Sequence, residues 1–155
     1  GCVTLSNIDF NEIASGIDIG ETPVIITDQP IPWLDTTQWT ERRAELAGVV
    51  EHWRRDWESL NNDRYLSHYS PLFKSGNMNY EGWSNRKRRV NSAKTYIKVA
   101  LSDLSLFVYP GEDEMLVATF IQTYESSNYK QQSRKRQYWK REEDGVWRIV
   151  FEGPG

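Results

Sequence analysis

The sequence predicts an α+β fold, in which three helices pack on a curved antiparallel sheet of about four long strands. Apolar residues recur at helical spacing from about residue 37 to residue 92, and the period changes to two from residue 96 onward. An Asp144-Gly145 pair between two alternating runs is typical of a tight hairpin. Helices followed by a strand meander indicate an α+β domain.

The first predicted helix begins at the cap residues Asp35, Thr36 and Thr37. One of its faces is apolar, with Leu46, Val49, Val50, Trp53, Trp57 and Leu60. A short second helix ends at about His68, and Ser70-Pro71 is expected to stop regular structure before a short strand at 72–74. The third helix spans about residues 80–92, with Trp83, Arg86, Lys87 and Val90 roughly on one side.

Strands are predicted at 96–109, 115–126, 132–142 and 146–152. The first turn is assigned to 110–113, a longer connection contains Ser127-Asn128, and residues 143–145 make the last hairpin. Strict alternation places Trp147, Ile149 and Phe151 on one face of the last strand, and Arg148, Val150 and Glu152 on the other.

Composition excludes several classes of function. The 155 residues are 26% charged with a net charge of −3, so no overall field favours nucleic acid or anionic membranes. No apolar run approaches the roughly 20 residues that a membrane span needs. A single cysteine forms no internal disulfide, and with only His52 and His68 beside it a structural zinc site is not expected. We predict no metal and no cofactor, and we interpret His52 as a surface or packing residue.

The first seven residues contain a motif. Gly1-Cys2-Val3-Thr4-Leu5-Ser6-Asn7 resembles the second half of the active-site motif of L,D-transpeptidases of the YkuD/ErfK family, Ser-His-Gly-Cys-(Val/Ile)-Arg-Leu-x-Asn. A later stretch, 20–26, is similar to that family's final Gly-Thr-Pro-Val-x-Ile strand, and the β-branched run there predicts a strand at 24–27. The resemblance implies that Cys2 is the thiolate nucleophile of a parent enzyme. Thr4 replaces the family's usual Arg, and the motif His has no counterpart after residue 1.

A second resemblance covers about residues 37–152. The element order and the ending 139–152, with its Gly-x-Trp-x-Ile strand, resemble the NTF2-like fold, a cone with a pocket at its mouth. The stretches 53–59, 65–70 and 120–126 look like the NTF2-like tail of proteobacterial L,D-transpeptidases, and like that of an L,D-carboxypeptidase that shapes helical bacteria. We therefore expect a catalytic-domain remnant at 1–27, a linker at 28–36 and an NTF2-like domain at 37–155.

Two groups of residues are candidate binding sites. Polar and aromatic side chains near strand ends are predicted to line the pocket: Gln122, Tyr124, Gln137, Tyr138 and Glu152. Two basic runs are predicted to form a patch for an anionic polymer: Arg86, Lys87, Arg88, Arg134 and Arg136. Ordinary surface roles remain the alternative for both groups.

Three functions remain open. The first is a non-catalytic accessory domain of a peptidoglycan L,D-transpeptidase or L,D-carboxypeptidase in the bacterial periplasm, binding peptidoglycan, a muropeptide or the parent catalytic domain. The second is an NTF2-like isomerase, dehydratase or hydrolase, which would need a dyad such as His52 or His68 with Asp56 or Asp63. Asp56 is expected on a surface turn, which disfavours that dyad. The third is a dimerisation module forming a homodimer.

We predict that this chain has no transpeptidase or carboxypeptidase activity. The reason is that the cysteine nucleophile of this family needs an adjacent histidine base, which these residues do not supply. The measurement is release of D-Ala from a tetrapeptide muropeptide, with Cys2→Ala as the control. Release that Cys2→Ala abolishes would overturn the prediction.

Overall fold

The structure is a computed structural model that describes residues 4–18, 22, 24, 26, 35–109, 112 and 114–155. The chain divides into two compact units, Gly1–Ile31 and Pro32–Gly155. The predicted domain and linker boundaries stay a prediction. Among the described residues, no helix combines the length and the apolar character that crossing a membrane requires.

The first unit contains one described helix, α1 (Asn7–Ala14). Ser6 caps it by accepting a hydrogen bond from the Asp9 N–H at 3.1 Å. The strand predicted at 24–27 is wrong at its two described residues, since Val24 and Ile26 belong to no strand. An isolated strand without neighbours is not stable. Cys2 lies outside the described residues, as do residues 28–34 of the predicted linker.

The three predicted helices of the second unit are confirmed as α2 (Thr36–Glu58), α3 (Asn62–Ser67) and α4 (Tyr80–Ser92). Each begins at an Asp or Asn whose side-chain oxygen accepts a backbone N–H of the first turn. These caps are Asp35, Asn61 and Asn79. Leu60, with φ of 61°, takes the left-handed conformation that separates α2 from α3.

The sheet is curved and unclosed. Six strands form it among the described residues, where about four long strands and a short one at 72–74 were predicted. They are β1 (Tyr69–Ser75), β2 (Met78–Asn79), β3 (Ile97–Val108), β4 (Met115–Ser126), β5 (Tyr129–Arg141) and β6 (Trp147–Pro154). Their order is β2-β1-β6-β5-β4-β3. Only β1 and β6 run parallel, and every other neighbouring pair is antiparallel. The four long strands are the predicted ones.

Two predicted strand boundaries are wrong. β1 begins at Tyr69 and contains Pro71, where a break was expected. Its register with β6 shifts between Tyr69 and Lys74, and such an irregularity tolerates a proline that has no N–H to donate. β5 begins at Tyr129, which pairs with Ser126, so the connection at 127–128 is a two-residue turn. The first predicted turn, 110–113, is described only at Glu112.

β6 departs from strict alternation. Trp139 of β5 pairs with Ile149 and Tyr138 pairs with Phe151, so Val150 has no partner and forms a β-bulge. Trp147 and Ile149 share one face, as predicted, and this face is buried in the core. Beyond the bulge, however, Glu152 is buried and Phe151 is exposed. The predicted faces of Phe151 and Glu152 are therefore wrong, because the extra residue reverses the parity.

The core lies between the helices and the concave side of the sheet. α2 contributes Leu46, Val50, Trp53 and Trp57 from its predicted apolar stripe, while Val49 and Leu60 are only partly buried. The Trp53 ring lies 6.0 Å from the Phe120 ring of β4. Trp53, Phe120 and Trp139 have no exposed surface, so one aromatic layer joins α2 to the middle of the sheet.

An ion pair fastens α2 to β3. The Arg54 Nη1 lies 2.6 Å from the Glu58 Oε2 and donates to the Val99 carbonyl oxygen at 3.1 Å. The Glu58 Oε1 accepts the Val99 N–H at 2.6 Å. In the sequence, Arg54 and Glu58, and likewise Glu51 and Arg55, have the i,i+4 spacing of opposite charges on one helix face, and both ion pairs form. The Arg54–Glu58 pair also forms hydrogen bonds with the backbone of Val99 in β3, so it fixes the position of α2 on the sheet as well as stabilising the helix.

We expect Trp53→Ala to lower the free energy of unfolding by about 3–5 kcal/mol, the usual range for truncating a fully buried Trp. The matched control is Leu72→Ala, since Leu72 is 80% exposed. This control should change the free energy by less than about 0.5 kcal/mol. Urea unfolding followed by tryptophan fluorescence measures both variants, and equal losses of stability would contradict the packing described here.

Candidate functional site

A cavity of about 620 Å³ lies within the second unit, between α4 and the concave face of the sheet. Its walls combine aromatic rings, cations and amides. The aromatic lining residues are Trp57, Trp83, Tyr124 and Tyr129. The charged ones are Arg86, Lys87, Lys94, Lys135 and Glu152. Four cations against one carboxylate make the cavity positive, and this combination suits an anionic ligand with an apolar or sugar-like body.

Lys87 lies among aromatic rings. Its Nζ lies 4.4 Å from the centre of the Trp83 ring, 4.6 Å from that of Trp57 and 5.7 Å from that of Tyr65. Among the described residues, no carboxylate forms an ion pair with it. Burial lowers the pKa of Lys87 to about 8; the Glu152 carboxylate opposes this shift, and the charges of Lys135 and Arg86 reinforce it.

The indole N–H groups of Trp57 and Trp83 are buried. Their side chains are only 6% and 7% exposed, and neither Nε1 has a hydrogen-bond partner among the described residues. A buried donor without an acceptor costs about 1–3 kcal/mol. Both residues line the cavity with their rings beside the Lys87 ammonium, but their N–H groups themselves are closed off from solvent.

A buried hydrogen-bond network underlies the cavity. The Glu152 Oε2 accepts from Gln137 Nε2 at 2.8 Å and from the Tyr69 hydroxyl at 3.3 Å. Gln137 Oε1 accepts from Trp139 Nε1 at 3.1 Å. On the other side, the Tyr69 hydroxyl accepts from Trp53 Nε1 at 3.1 Å and lies 2.7 Å from the Tyr65 hydroxyl. Five side chains from four elements thus hold one carboxylate in place.

The phenols of this network stay protonated. Burial is the main cause that raises the pKa of both Tyr65 and Tyr69 well above the ordinary value, and the Glu152 carboxylate acts in the same direction. Each hydroxyl therefore retains the proton that it shares with its neighbours. These groups serve as hydrogen-bond donors at neutral pH, and neither acts as an ionised base.

The structure brings together three of the predicted pocket residues. Gln122 and Tyr124 of β4 and Glu152 of β6 line the cavity. Gln137 is fully buried and does not line the cavity, but its side chain donates a hydrogen bond to the lining residue Glu152. Tyr138 lies on the other face of β5, where its ring contacts those of Tyr109 and Phe151 at 5.8 and 5.6 Å.

The predicted basic patch is divided between two places. Arg86 and Lys87 line the cavity. Arg88 instead forms an ion pair with Asp63 at 2.7 Å. Arg134 and Arg136 alternate with the cavity-lining Lys135 along β5, so they lie on the opposite face of the sheet. Lys135 and Lys94 complete the positive lining in their place.

The sequence analysis did not predict that Trp57 and Trp83 line the cavity, since it assigned both only to helix faces. A signal was nevertheless present in α4. Trp83, Arg86, Lys87 and Val90 share one side of this helix, and all of them line the cavity. Two cations within an otherwise apolar stripe indicate a pocket wall rather than a packed core.

The histidines form a second cluster, outside the cavity lining. His68 Nε2 lies 2.7 Å from Asp56 Oδ2, and His52 Nε2 lies 3.4 Å from the same oxygen. Asp56 was predicted on an exposed turn of the first helix. It does lie within α2, but its side chain is only 13% exposed because α3 packs beside it. The dyad that an enzymatic function would need therefore exists, but none of its residues lines the cavity.

Comparison with protein families identifies the second unit. The family described as the Cds6 C-terminal NTF2-like domain matches residues 45–153. A comparison with curated proteins found no significant match.

Solved structures agree on the fold. Bd1075 from Bdellovibrio bacteriovorus is 30% identical with a TM-score of 0.81, over 100% of this chain and 54% of that one. The helical cell shape determining protein Pgp2 from Campylobacter jejuni is 24% identical with a TM-score of 0.74, over 99% and 54%. An NTF2-like protein from Pseudomonas putida is 11% identical with a TM-score of 0.61, over 73% and 84%. The chain spans about half the length of the first two.

We expect Lys87→Met to raise the free energy of unfolding near pH 7 by roughly 1–3 kcal/mol. The lysine has a pKa of about 8 in the folded protein against an ordinary 10.5, so folding disfavours its charged form. Below pH 8 Lys87 is protonated in both the folded and the unfolded chain, so the full cost of burying its charge lowers the stability. Between pH 8 and 10.5 the unfolded chain binds more protons, and wild-type stability rises with pH until the penalty is gone.

The measurement is urea unfolding of wild type and Lys87→Met at several pH values from 6 to 10. The stability difference should shrink steadily above pH 8. The matched control is Lys98→Met, at an exposed lysine of β3, which should follow the wild-type profile. A difference between wild type and Lys87→Met that stays constant with pH would contradict the lowered pKa.

Proposed function

The chain belongs to the Cds6 C-terminal NTF2-like domain family, and on that premise we propose that it is the accessory domain of a peptidoglycan-modifying enzyme, whose cavity binds an anionic peptidoglycan fragment. The single observation that carries the proposal is the positive charge of the cavity lining, which contains Arg86, Lys87, Lys94 and Lys135. The Lys87 ammonium lies over the rings of Trp57 and Trp83 and forms no ion pair among the described residues.

The chemistry of the lining fits the stem peptide of peptidoglycan. Such peptides end in carboxylates, which suit Lys87, Lys135 and Arg86. They also contain a diamino acid, whose ammonium can pair with the Glu152 carboxylate. The rings of Tyr124 and Tyr129 provide flat apolar surfaces for a sugar or a methyl group. The cavity thus offers both charges and an apolar wall, at separate points.

Two further observations support a cell-wall context. Residues 1–7 and 20–26 resemble the catalytic domain of YkuD/ErfK L,D-transpeptidases. A structural neighbour, Pgp2, is described as a helical cell shape determining protein. The parent is then an L,D-transpeptidase or L,D-carboxypeptidase of the bacterial cell envelope, and the cavity positions its substrate. Docking of the parent catalytic domain is the alternative use of the same domain, and the homodimer stays a prediction.

Isothermal titration calorimetry of the chain with a soluble disaccharide-tetrapeptide tests this function. We expect binding to the muropeptide and none to an uncharged N-acetylglucosamine oligomer of similar size. Lys87→Met should weaken binding by about tenfold, the effect of losing one charge-assisted contact.

Lys98→Met is the matched control, since this lysine lies on β3 outside the cavity lining. Affinity should fall with added salt and again above pH 8, where Lys87 loses its proton. Equal binding of the neutral oligomer, or equal losses in the Lys87 and Lys98 variants, would exclude a charge-selective site.

A further inference from the structure

The His52–Asp56–His68 cluster brings three ligand atoms to one point of the second unit. The two imidazole Nε2 atoms and a carboxylate oxygen all lie within 4.8 Å of one another. His52 and Asp56 are one helical turn apart on α2, so they share a face. His68 follows α3, and its carbonyl oxygen accepts the Ile149 N–H at 2.8 Å, which ties the third ligand to the sheet.

We propose that this cluster is a binding site for a divalent transition metal ion, of the class of Zn²⁺, Co²⁺ or Ni²⁺. Two imidazoles and one carboxylate are a donor set that these ions prefer, and Mg²⁺ or Ca²⁺ would favour oxygen ligands instead. The site is independent of the cavity, because none of the three residues lines it.

One ligand distance already agrees with a tetrahedral ion and the other needs a small movement. Metal–ligand bonds of about 2.0–2.1 Å at tetrahedral angles place neighbouring ligand atoms roughly 3.3–3.5 Å apart. His52 Nε2 and Asp56 Oδ2 lie at 3.4 Å. His68 Nε2 and Asp56 Oδ2 lie at 2.7 Å, as a hydrogen-bonded pair, and must separate by roughly 0.6–0.8 Å when an ion replaces the shared proton. That proton leaves to solvent.

The surroundings leave one side of the site open. Asp56 and His68 are mostly buried, with side chains 13% and 11% exposed, whereas the His52 side chain is 70% exposed. The buried pair is preorganised by α2 and the end of α3, and the exposed His52 can turn towards an incoming ion. Three protein ligands with an open fourth position then leave room for water.

The test uses the untagged full chain carrying Cys2→Ser, so that the thiol does not compete for the ion. Calorimetric titration with Zn²⁺ is expected to give one ion per chain, and Co²⁺ is expected to give the visible absorption of a four-coordinate site with nitrogen and oxygen ligands. His52→Asn should weaken Zn²⁺ binding at least about tenfold, because it removes one of three ligands without disturbing a buried group. Asp56→Asn should weaken it further.

Asp63→Asn is the matched control. It makes the same change at a carboxylate of α3 that is 84% exposed and pairs with Arg88, so the affinity for Zn²⁺ should not change. Zn²⁺ should also raise the melting temperature of the Cys2→Ser chain, and His52→Asn should abolish this rise. Absence of stoichiometric binding, or a Zn²⁺ affinity that His52→Asn leaves unchanged, would overturn the proposal. Neither outcome bears on muropeptide binding in the cavity.

Discussion

The buried carboxylate of Glu152 is the constraint on which the other features of this domain depend. A charge removed from water must be hydrogen-bonded and paired, because its desolvation otherwise exceeds what folding can supply. Gln137 and Tyr69 donate to it, and each is held in turn by a tryptophan N–H, from Trp139 and Trp53 respectively. The network thereby fixes the relative positions of α2, β1, β5 and β6 around one atom. We infer that the same bonds which satisfy the charge also keep the floor of the cavity rigid.

A β-bulge makes that arrangement possible. Without the unpaired Val150, strict alternation would point Glu152 to the convex face and place the large Phe151 ring inside. The bulge therefore places the Glu152 carboxylate, and not the Phe151 ring, in the lining of the cavity. Bulges are frequent next to binding sites because they redirect a single side chain. Here the redirected side chain is the cavity's only carboxylate among its described lining residues, and it opposes the charges of Lys87, Lys135 and Arg86.

Much of the fold could be predicted from local pattern, and the exceptions have physical causes. The apolar stripe of α2 and the alternation in β4 predict burial correctly, because regular elements preserve their period. The alternation in β6 fails at one inserted residue, which nothing in the residue types of 147–152 indicates. The break predicted at Pro71 is wrong for a related reason, because the irregular parallel pairing of β1 with β6 accommodates a proline. The burial of Asp56 was missed because it depends on α3 folding back beside α2, a contact between elements that sequence spacing does not specify.

The groups without partners in the cavity are informative because they oppose stability. The indole N–H of Trp53 donates to a hydroxyl and that of Trp139 to an amide oxygen, whereas Trp57 and Trp83 have no such acceptor among the described residues. Lys87 could extend to solvent, as long lysine side chains usually do. Instead the folded domain leaves two donors unpaired and holds an ammonium among aromatic rings, each at a cost in free energy. A stable core gains nothing from this arrangement, whereas an anionic ligand in the cavity would compensate the Lys87 ammonium. The unfavourable electrostatics of the cavity lining is therefore itself an argument for binding.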